Sequence, residues 1–274
     1  MMEVHGVKFM YFFDNYLKRF VMYGKGMLHP QETGKYDAGI SCIREDDVNI
    51  WFYTKNNVTI AVDAGHLDFK GANEEFKKIG VDGKKIGHVL LTHSDVDHCG
   101  GVDISAKNYI FPNAKVYIGK GEENYFGGAV CRMIKAGIPL KNPVRLRKGY
   151  KTVAGGDVFD FEGIKVRVID VPGHTIGHVC YIVDDKILFS GDSLAINSEG
   201  GFSLFEFFTQ NPELNKKSLK ILKNIIEKSS VEYVCTGHSG MHRINDKTFA
   251  HIDQSAKSGF RKPFDPTAPK SIVS

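Results

Sequence analysis

The chain has 274 residues, with 36 Lys and Arg against 32 Asp and Glu for a formal net charge of +4. With 42% hydrophobic and 25% charged residues it can bury a large core, which excludes a disordered tail, a small disulfide scaffold and a collagen-like fibre. So mild a charge makes no case for nucleic acid, and Cys42, Cys99, Cys131, Cys180 and Cys235, with no CxxC pair, fit a reducing cytoplasm better than a disulfide framework.

Residues 1–37 read as an aromatic-rich N-terminal extension. Phe9, Phe12, Phe13, Tyr16 and Phe20 recur at helical spacing, opposite Asp14, Asn15, Lys18 and Arg19. Such a helix packs on its own domain, joins two copies as a homodimer, or covers a cleft. The charges interrupt the apolar run, so neither a signal peptide nor a membrane span is expected. Gly24, Gly26, Pro30 and Gly34 mark a loop into a domain covering 38–274.

Strands are expected at 49–54 and 58–62 around an Asn56-Asn57 hairpin turn, then a helix carrying Phe69, Ala72, Phe76 and Ile79. Val89-Leu90-Leu91 is an apolar strand, as is 115–118. Two strand runs within 158–170 break at Glu162-Gly163, and a hairpin turns at Asp184-Asp185. Asn211-Pro212 starts a helix with Leu219, Leu222, Ile225 and Ile226 on its buried stripe, and a strand at 232–235 follows. Lys262 to Ser274 is a Pro-containing tail.

Histidines and aspartates cluster directly after these strands, where chains build active sites. The clusters are Thr92-His93-Ser94-Asp95-Val96-Asp97-His98, Pro172-Gly173-His174-Thr175, Ser190-Gly191-Asp192-Ser193 and Thr236-Gly237-His238. Imidazole and carboxylate donors suit a borderline divalent metal. Seven exceed the needs of one tetrahedral ion and suffice for two.

From about Gly39 to Met241 the order of motifs resembles the metallo-β-lactamase fold superfamily. Asp63 in Val62-Asp63-Ala64-Gly65 resembles its first motif, His93 to His98 its HxHxDH motif in an HxDxDH form, and His174, Asp192 and His238 the remaining three. The resemblance implies an α/β fold, a four-layer αβ/βα sandwich of two mixed β-sheets flanked by helices, with the metals at one edge. It implies that His93, Asp95 and His174 hold one divalent ion and Asp97, His98 and His238 a second, with Asp192 between them and Asp63 orienting ligands from behind. A hydroxide shared by such a pair attacks a carbonyl or phosphoryl centre without a protein nucleophile, with Asp97 at the catalytic edge.

The family most often has His where this chain has Asp95. Two dications facing Asp95, Asp97 and Asp192 leave a net charge of +1, against +2 with that His, which tilts preference from zinc toward iron or manganese. Cys99 and Cys235 flank motif residues but occupy no motif position, and read as buried thiols. His66 and His242 can border the cleft.

Arg132, Lys135, Lys141, Arg145, Arg147, Lys148 and Lys151 form a basic segment without Asp or Glu. It is a solvated face, or it attracts an anionic substrate, with Arg145 and Arg147 as contacts. Phe202, Leu204, Phe205, Phe207 and Phe208 pack in the core or wall the cleft, with Phe205 and Phe208 against the substrate. The favoured reading is a dinuclear metal hydrolase of a small, anionic ester, thioester, lactone or related acyl compound. Pro172-Gly173-His174-Thr175-Ile176-Gly177-His178 resembles the thioesterase-like glyoxalase II branch. A phosphodiesterase, a di-iron oxygen or nitric oxide reductase-like protein with a separate electron donor, and a metal-stabilised binding module are the alternatives. No membrane or nucleic-acid partner is expected.

Overall fold

The computed structural model describes residues 28–256. The expected aromatic helix, the homodimer contact assigned to it and the Pro-containing tail lie outside the described residues.

The first half of the described chain builds a seven-stranded sheet. Its strands are β1 (Gly34–Lys35), β2 (Ile40–Glu45), β3 (Val48–Lys55), β4 (Val58–Val62), β5 (His88–Leu90) and β6 (Lys115–Gly119). A separate hairpin, β7 (Arg132–Ile134) with β8 (Ile138–Leu140), precedes the last member, β9 (Lys151–Val153). β1 to β4 pair antiparallel, and β4, β5, β6 and β9 pair parallel. Through β1, residues just before position 38 join this sheet.

The second half begins with the antiparallel strands β10 (Val158–Phe161), β11 (Ile164–Asp170), β12 (Val179–Val183) and β13 (Ile187–Gly191). β14 (Leu194–Asn197) and β15 (Gly200–Ser203) leave for a small side sheet, then β16 (Tyr233–Thr236) returns parallel to β13, and β17 (Met241–Arg243) completes six strands. β18 (His251–Ser255) completes the side sheet. The tight turns use residues that tolerate left-handed backbone: Asn56 and Asn57 at φ +50° and +66°, Asp184 and Asp185 at +49° and +52°.

Side chains of β3 alternate between two buried faces. Trp51 and Tyr53 enter a core shared with Val166, Tyr181 and Phe189 of the other sheet, whereas Ile50 and Phe52 face outward onto α1 (Ala72–Ile79) through Phe76 and Ile79. The second sheet covers its outer face likewise, with Leu219, Leu222 and Ile226 of α3 (Pro212–Ile226) against Cys180, Ile182 and Leu188. Asn211 Oδ1 accepts from Leu214 N at 3.0 Å, capping α3. This gives the four layers, helix, sheet, sheet, helix, of an αβ/βα sandwich. Among the described residues no helix is long and apolar enough to cross a membrane.

The motif loops emerge at one edge of the sandwich and are stitched together by backbone hydrogen bonds. Asp63 N donates to Leu90 O at 2.9 Å, Ala64 N to His98 O at 2.7 Å, Val179 N to Thr92 O at 2.9 Å and Gly237 N to Gly191 O at 3.0 Å. Each ligand-bearing loop is thus fixed by its neighbour from another strand end.

Candidate metal centre

Asp63 directly follows β4 with φ +62°, and its carboxylate meets the neighbouring loop at Thr92. Its Oδ1 accepts from Thr92 N at 2.8 Å, and its Oδ2 lies 2.9 Å from His98 Nδ1. The other histidines are backed in the same way. His93 Nδ1 lies 2.9 Å from Thr92 Oγ1, His238 Nδ1 2.6 Å from Asp47 O, and His174 Nδ1 3.4 Å from Thr209 Oγ1. With all four Nδ1 atoms engaged from behind, the four Nε2 atoms turn inward, as imidazoles held for a metal do.

The structure brings the seven motif residues into three overlapping groups: His93, Asp95, His174; His93, His98, Asp192; and Asp97, His98, His238. Asp95 Oδ2 lies 3.2 Å from His174 Nε2 and 3.7 Å from His93 Nε2. Asp97 Oδ2 lies 3.6 Å from His98 Nε2 and 3.4 Å from His238 Nε2. Asp192 faces His98 with Oδ1 at 3.3 Å, and His238 and His174 with Oδ2 at 3.1 and 3.8 Å. Donors held 2.0–2.2 Å from a tetrahedral ion sit roughly 3.3–3.6 Å apart, so these spacings fit divalent ions.

Two further observations support that fit. His93 Nε2 is buried without a hydrogen-bond partner. Burial would lower His98 and His238, yet the Asp192 carboxylate beside them raises both well above the usual histidine range, so negative charge is concentrated where the histidine nitrogens converge. Gly237 is required here, because a Cβ would lie 2.1 Å from Asp192 Oδ1.

The sequence profile of the metallo-beta-lactamase superfamily matches residues 43–238, which span every one of these ligands. The chain belongs to the metallo-β-lactamase superfamily. Among curated relatives, it is 28% identical over 197 residues to a hydroxyacylglutathione hydrolase of Shewanella pealeana, covering 69% of this chain and 64% of that protein. A hydroxyacylglutathione hydrolase of Rhizobium meliloti is 58% identical over 114 residues, 41% of this chain and 35% of that protein. The chain thus spans less than two thirds of the length of these hydrolases. The uncharacterized protein YobT of Bacillus subtilis is 25% identical over 226 residues, 77% of this chain and 91% of that protein. Among solved structures, the class B3 di-zinc metallo-β-lactamase LRA-12 from an Alaskan soil metagenome aligns with a TM-score of 0.56 at 16% identity, over 77% of this chain and 79% of that one. That similarity is one of fold.

Two residues that local sequence did not single out shape this site. Arg132, on β7 and 2% exposed, forks onto Asp95: its Nε donates to Oδ1 at 2.8 Å and its Nη2 to Oδ2. Asp95 precedes α2 (Val96–Cys99) but does not cap it, because its carboxylate faces Arg132 instead. Burial raises the Asp95 carboxyl, but Arg132 first, then His174 and His93, hold it well below the usual carboxylate range. Burial, with the charges of His93 and Arg132, pushes His174 down to about 4. The cation also offsets the negative charge on which the expected preference for iron or manganese rested.

Glu122, fully buried after β6, holds the ligand loops together. Its Oε2 accepts from Ser94 N at 2.9 Å and from Ser94 Oγ, and its Oε1 from Gly177 N at 2.8 Å. His178 stacks 5.1 Å from His93, and its Nε2 accepts from Asp192 N at 3.3 Å. His178 stood inside the quoted third motif, whereas Arg132 and Glu122 carried no local signal beyond their charge.

The remaining predicted residues fall elsewhere. Arg145 and Arg147 are exposed, Arg145 N bonding Asp103 Oδ1 at 3.2 Å and the Arg147 guanidinium lying 5.6 Å from the Tyr109 ring. Lys135 pairs with Glu206, and Lys151 lies over Phe159. Phe205 is 2% exposed in a cluster with Leu28, Ala195, Leu204 and Ala256, which places it in the core instead of against a substrate. Phe208 packs half-buried on that cluster while its carbonyl accepts from Arg132 Nη1 at 2.6 Å. Cys99 and Cys235 are buried outside the three metal groups. His66 faces Glu45 at 3.5 Å, and His242 Nε2 donates to Ser239 O at 2.7 Å.

Proposed function

We propose that the protein is a dinuclear metal-dependent hydrolase of small, anionic acyl thioesters, with His93, Asp95 and His174 holding one divalent ion, Asp97, His98 and His238 the other, and Asp192 facing both. The observation that carries this reading is the inward set of four Nε2 atoms interleaved with three carboxylates at distances of 3.1–3.8 Å. Zinc, iron and manganese all suit such donors. The similarity to hydroxyacylglutathione hydrolases favours thioesters over esters, lactones and phosphodiesters. None of the five cysteines forms a disulfide among the described residues, which supports a cytoplasmic setting.

When bound, such ions supply Lewis acidity and bring the pKa of a water near neutrality. The chain's own residues do the rest. Asp97, with 28% of its side chain exposed against 6% for Asp192, is the carboxylate nearest solvent. Burial raises its carboxyl, but His98 and His238 hold it far below the usual range, so Asp97 stays a carboxylate and orients an attacking water by accepting a hydrogen bond from it. Asp63, Thr92, Asp47 and Thr209 keep the imidazoles from turning as charge develops.

Purified protein is expected to release free thiol from a 2-hydroxyacyl thioester of glutathione. A chelator should abolish the release, and added zinc, iron or manganese should restore it. Turnover confined to lactones or phosphodiesters would reassign the substrate class. No hydrolysis, with oxygen consumed by the reduced iron-loaded protein, would replace this reading with the redox one.

A further inference from the structure

Among the three carboxylates of the centre, Asp95 has a permanent cation of its own. Arg132 grips both Asp95 oxygens, and its Nη1 donates to the carbonyls of Phe208 at 2.6 Å and His174 at 3.3 Å. Four donor contacts on a side chain that is nearly fully buried leave the guanidinium one orientation. Asp95 Oδ2 nevertheless keeps a face toward His174 and His93. Asp97 and Asp192, by contrast, face only histidines within ion-pair distance among the described residues.

We propose that Asp95 and Arg132 act as one neutral ligand unit, in which Arg132 is a positioning residue: it fixes the Asp95 carboxylate toward His93 and His174 and cancels its charge, so that this metal group has no net charge. The inference rests on the dinuclear reading. A bare carboxylate would add a negative charge and could swing on its χ angles, whereas a pair locked by the fork can do neither. The group built on Asp97, His98 and His238 keeps its full negative charge, so Arg132 also makes the two halves of the centre unequal. The anchor for this unit comes from the β7–β8 hairpin, through which the segment between β6 and β9 reaches the metal centre.

The test is a double-mutant cycle read by metal binding. Metal-free wild type, Asp95→His, Arg132→Met and the double variant are titrated with Zn²⁺ against a chromophoric chelator, and with Co²⁺ by visible absorption, with thermal melts alongside. Asp95→His leaves Arg132 as an unpaired buried cation beside an ion, and Arg132→Met leaves Asp95 unheld. Each is expected to weaken one of the two sites by about 10- to 100-fold, the range for losing a ligand's support. The double variant, with a neutral imidazole and no stranded cation, should return to within about threefold of wild type. Arg132→Lys keeps the charge but loses the fork and should fall between wild type and Arg132→Met. If Arg132→Met does not fold, comparing Asp95→His with the double variant decides. A double variant weaker than Asp95→His, or an Arg132→Met or Arg132→Lys protein with wild-type affinity and Co²⁺ spectrum, overturns the inference and leaves the dinuclear reading standing. Wild type that takes up no second ion overturns both.

Discussion

Replacing Asp192 by asparagine is expected to lower hydrolysis by about a thousandfold or more while the protein stays folded. Asp192 is the carboxylate that faces histidines of both halves, His98 and His238 on one side and His174 on the other. Removing its charge costs transition-state stabilisation of roughly 4 kcal/mol, or three decades in rate, in line with the several kcal/mol ascribed to metal-ion catalysis. Its backbone link to His178 and the close approach of Gly237 are kept by the isosteric amide. Steady-state kinetics with metal content on the same sample checks this. The metal per chain should fall with the rate, and full turnover from Asp192→Asn would remove Asp192 from the centre.

Glu122→Ala should produce the largest loss of stability. Its carboxylate is buried and accepts three hydrogen bonds, two from Ser94 between ligands His93 and Asp95 and one from Gly177 between His174 and His178. Truncation strands two buried N–H groups and a hydroxyl, at about 1–3 kcal/mol each with partial relief by water, so about 3 kcal/mol overall. In a domain of this size that lowers Tm by about 6–12 °C. Glu122→Gln is not a rescue, because its NH₂ must face either Ser94 or Gly177 donors, and a loss of about 1 kcal/mol or more is expected there. Thermal melts of the metal-free proteins measure both. An unchanged Tm in Glu122→Ala would show that the loops do not depend on this carboxylate.

The ligand set was legible in the sequence because the first ligand of each cluster sits one to four residues beyond a strand, where local pattern carries the placement. His93 follows Leu90, Asp192 follows Gly191, and His238 follows Thr236. The sandwich was legible for a related reason: runs such as 48–55 and 179–183 are apolar on both faces, and Asn56-Asn57 and Asp184-Asp185 mark tight hairpins. What sequence spacing could not supply were contacts made across the fold. Arg132 meets Asp95 from 37 positions away and sits in a basic run where six other cations look the same, yet it alone is buried in the ligand cluster. Glu122 reaches Ser94 and Gly177, 28 and 55 positions away, from a turn with no recognisable pattern. Phe205 shows the converse: aromatic density near the motif was visible, but which side chain turns inward depended on the side sheet and Leu28.

The central claim is that these seven side chains hold two divalent ions that carry out hydrolysis. It is tested most directly by elemental analysis of protein purified without air from cells supplied with iron, zinc and manganese together, followed by a thioester hydrolysis assay on the same preparation. The account predicts close to two ions per chain, activity that falls in step as a chelator removes them, and less than one ion in a His98→Ala, His174→Ala double variant. A preparation that is fully active with no bound metal, or one that keeps two ions in that double variant, would contradict it.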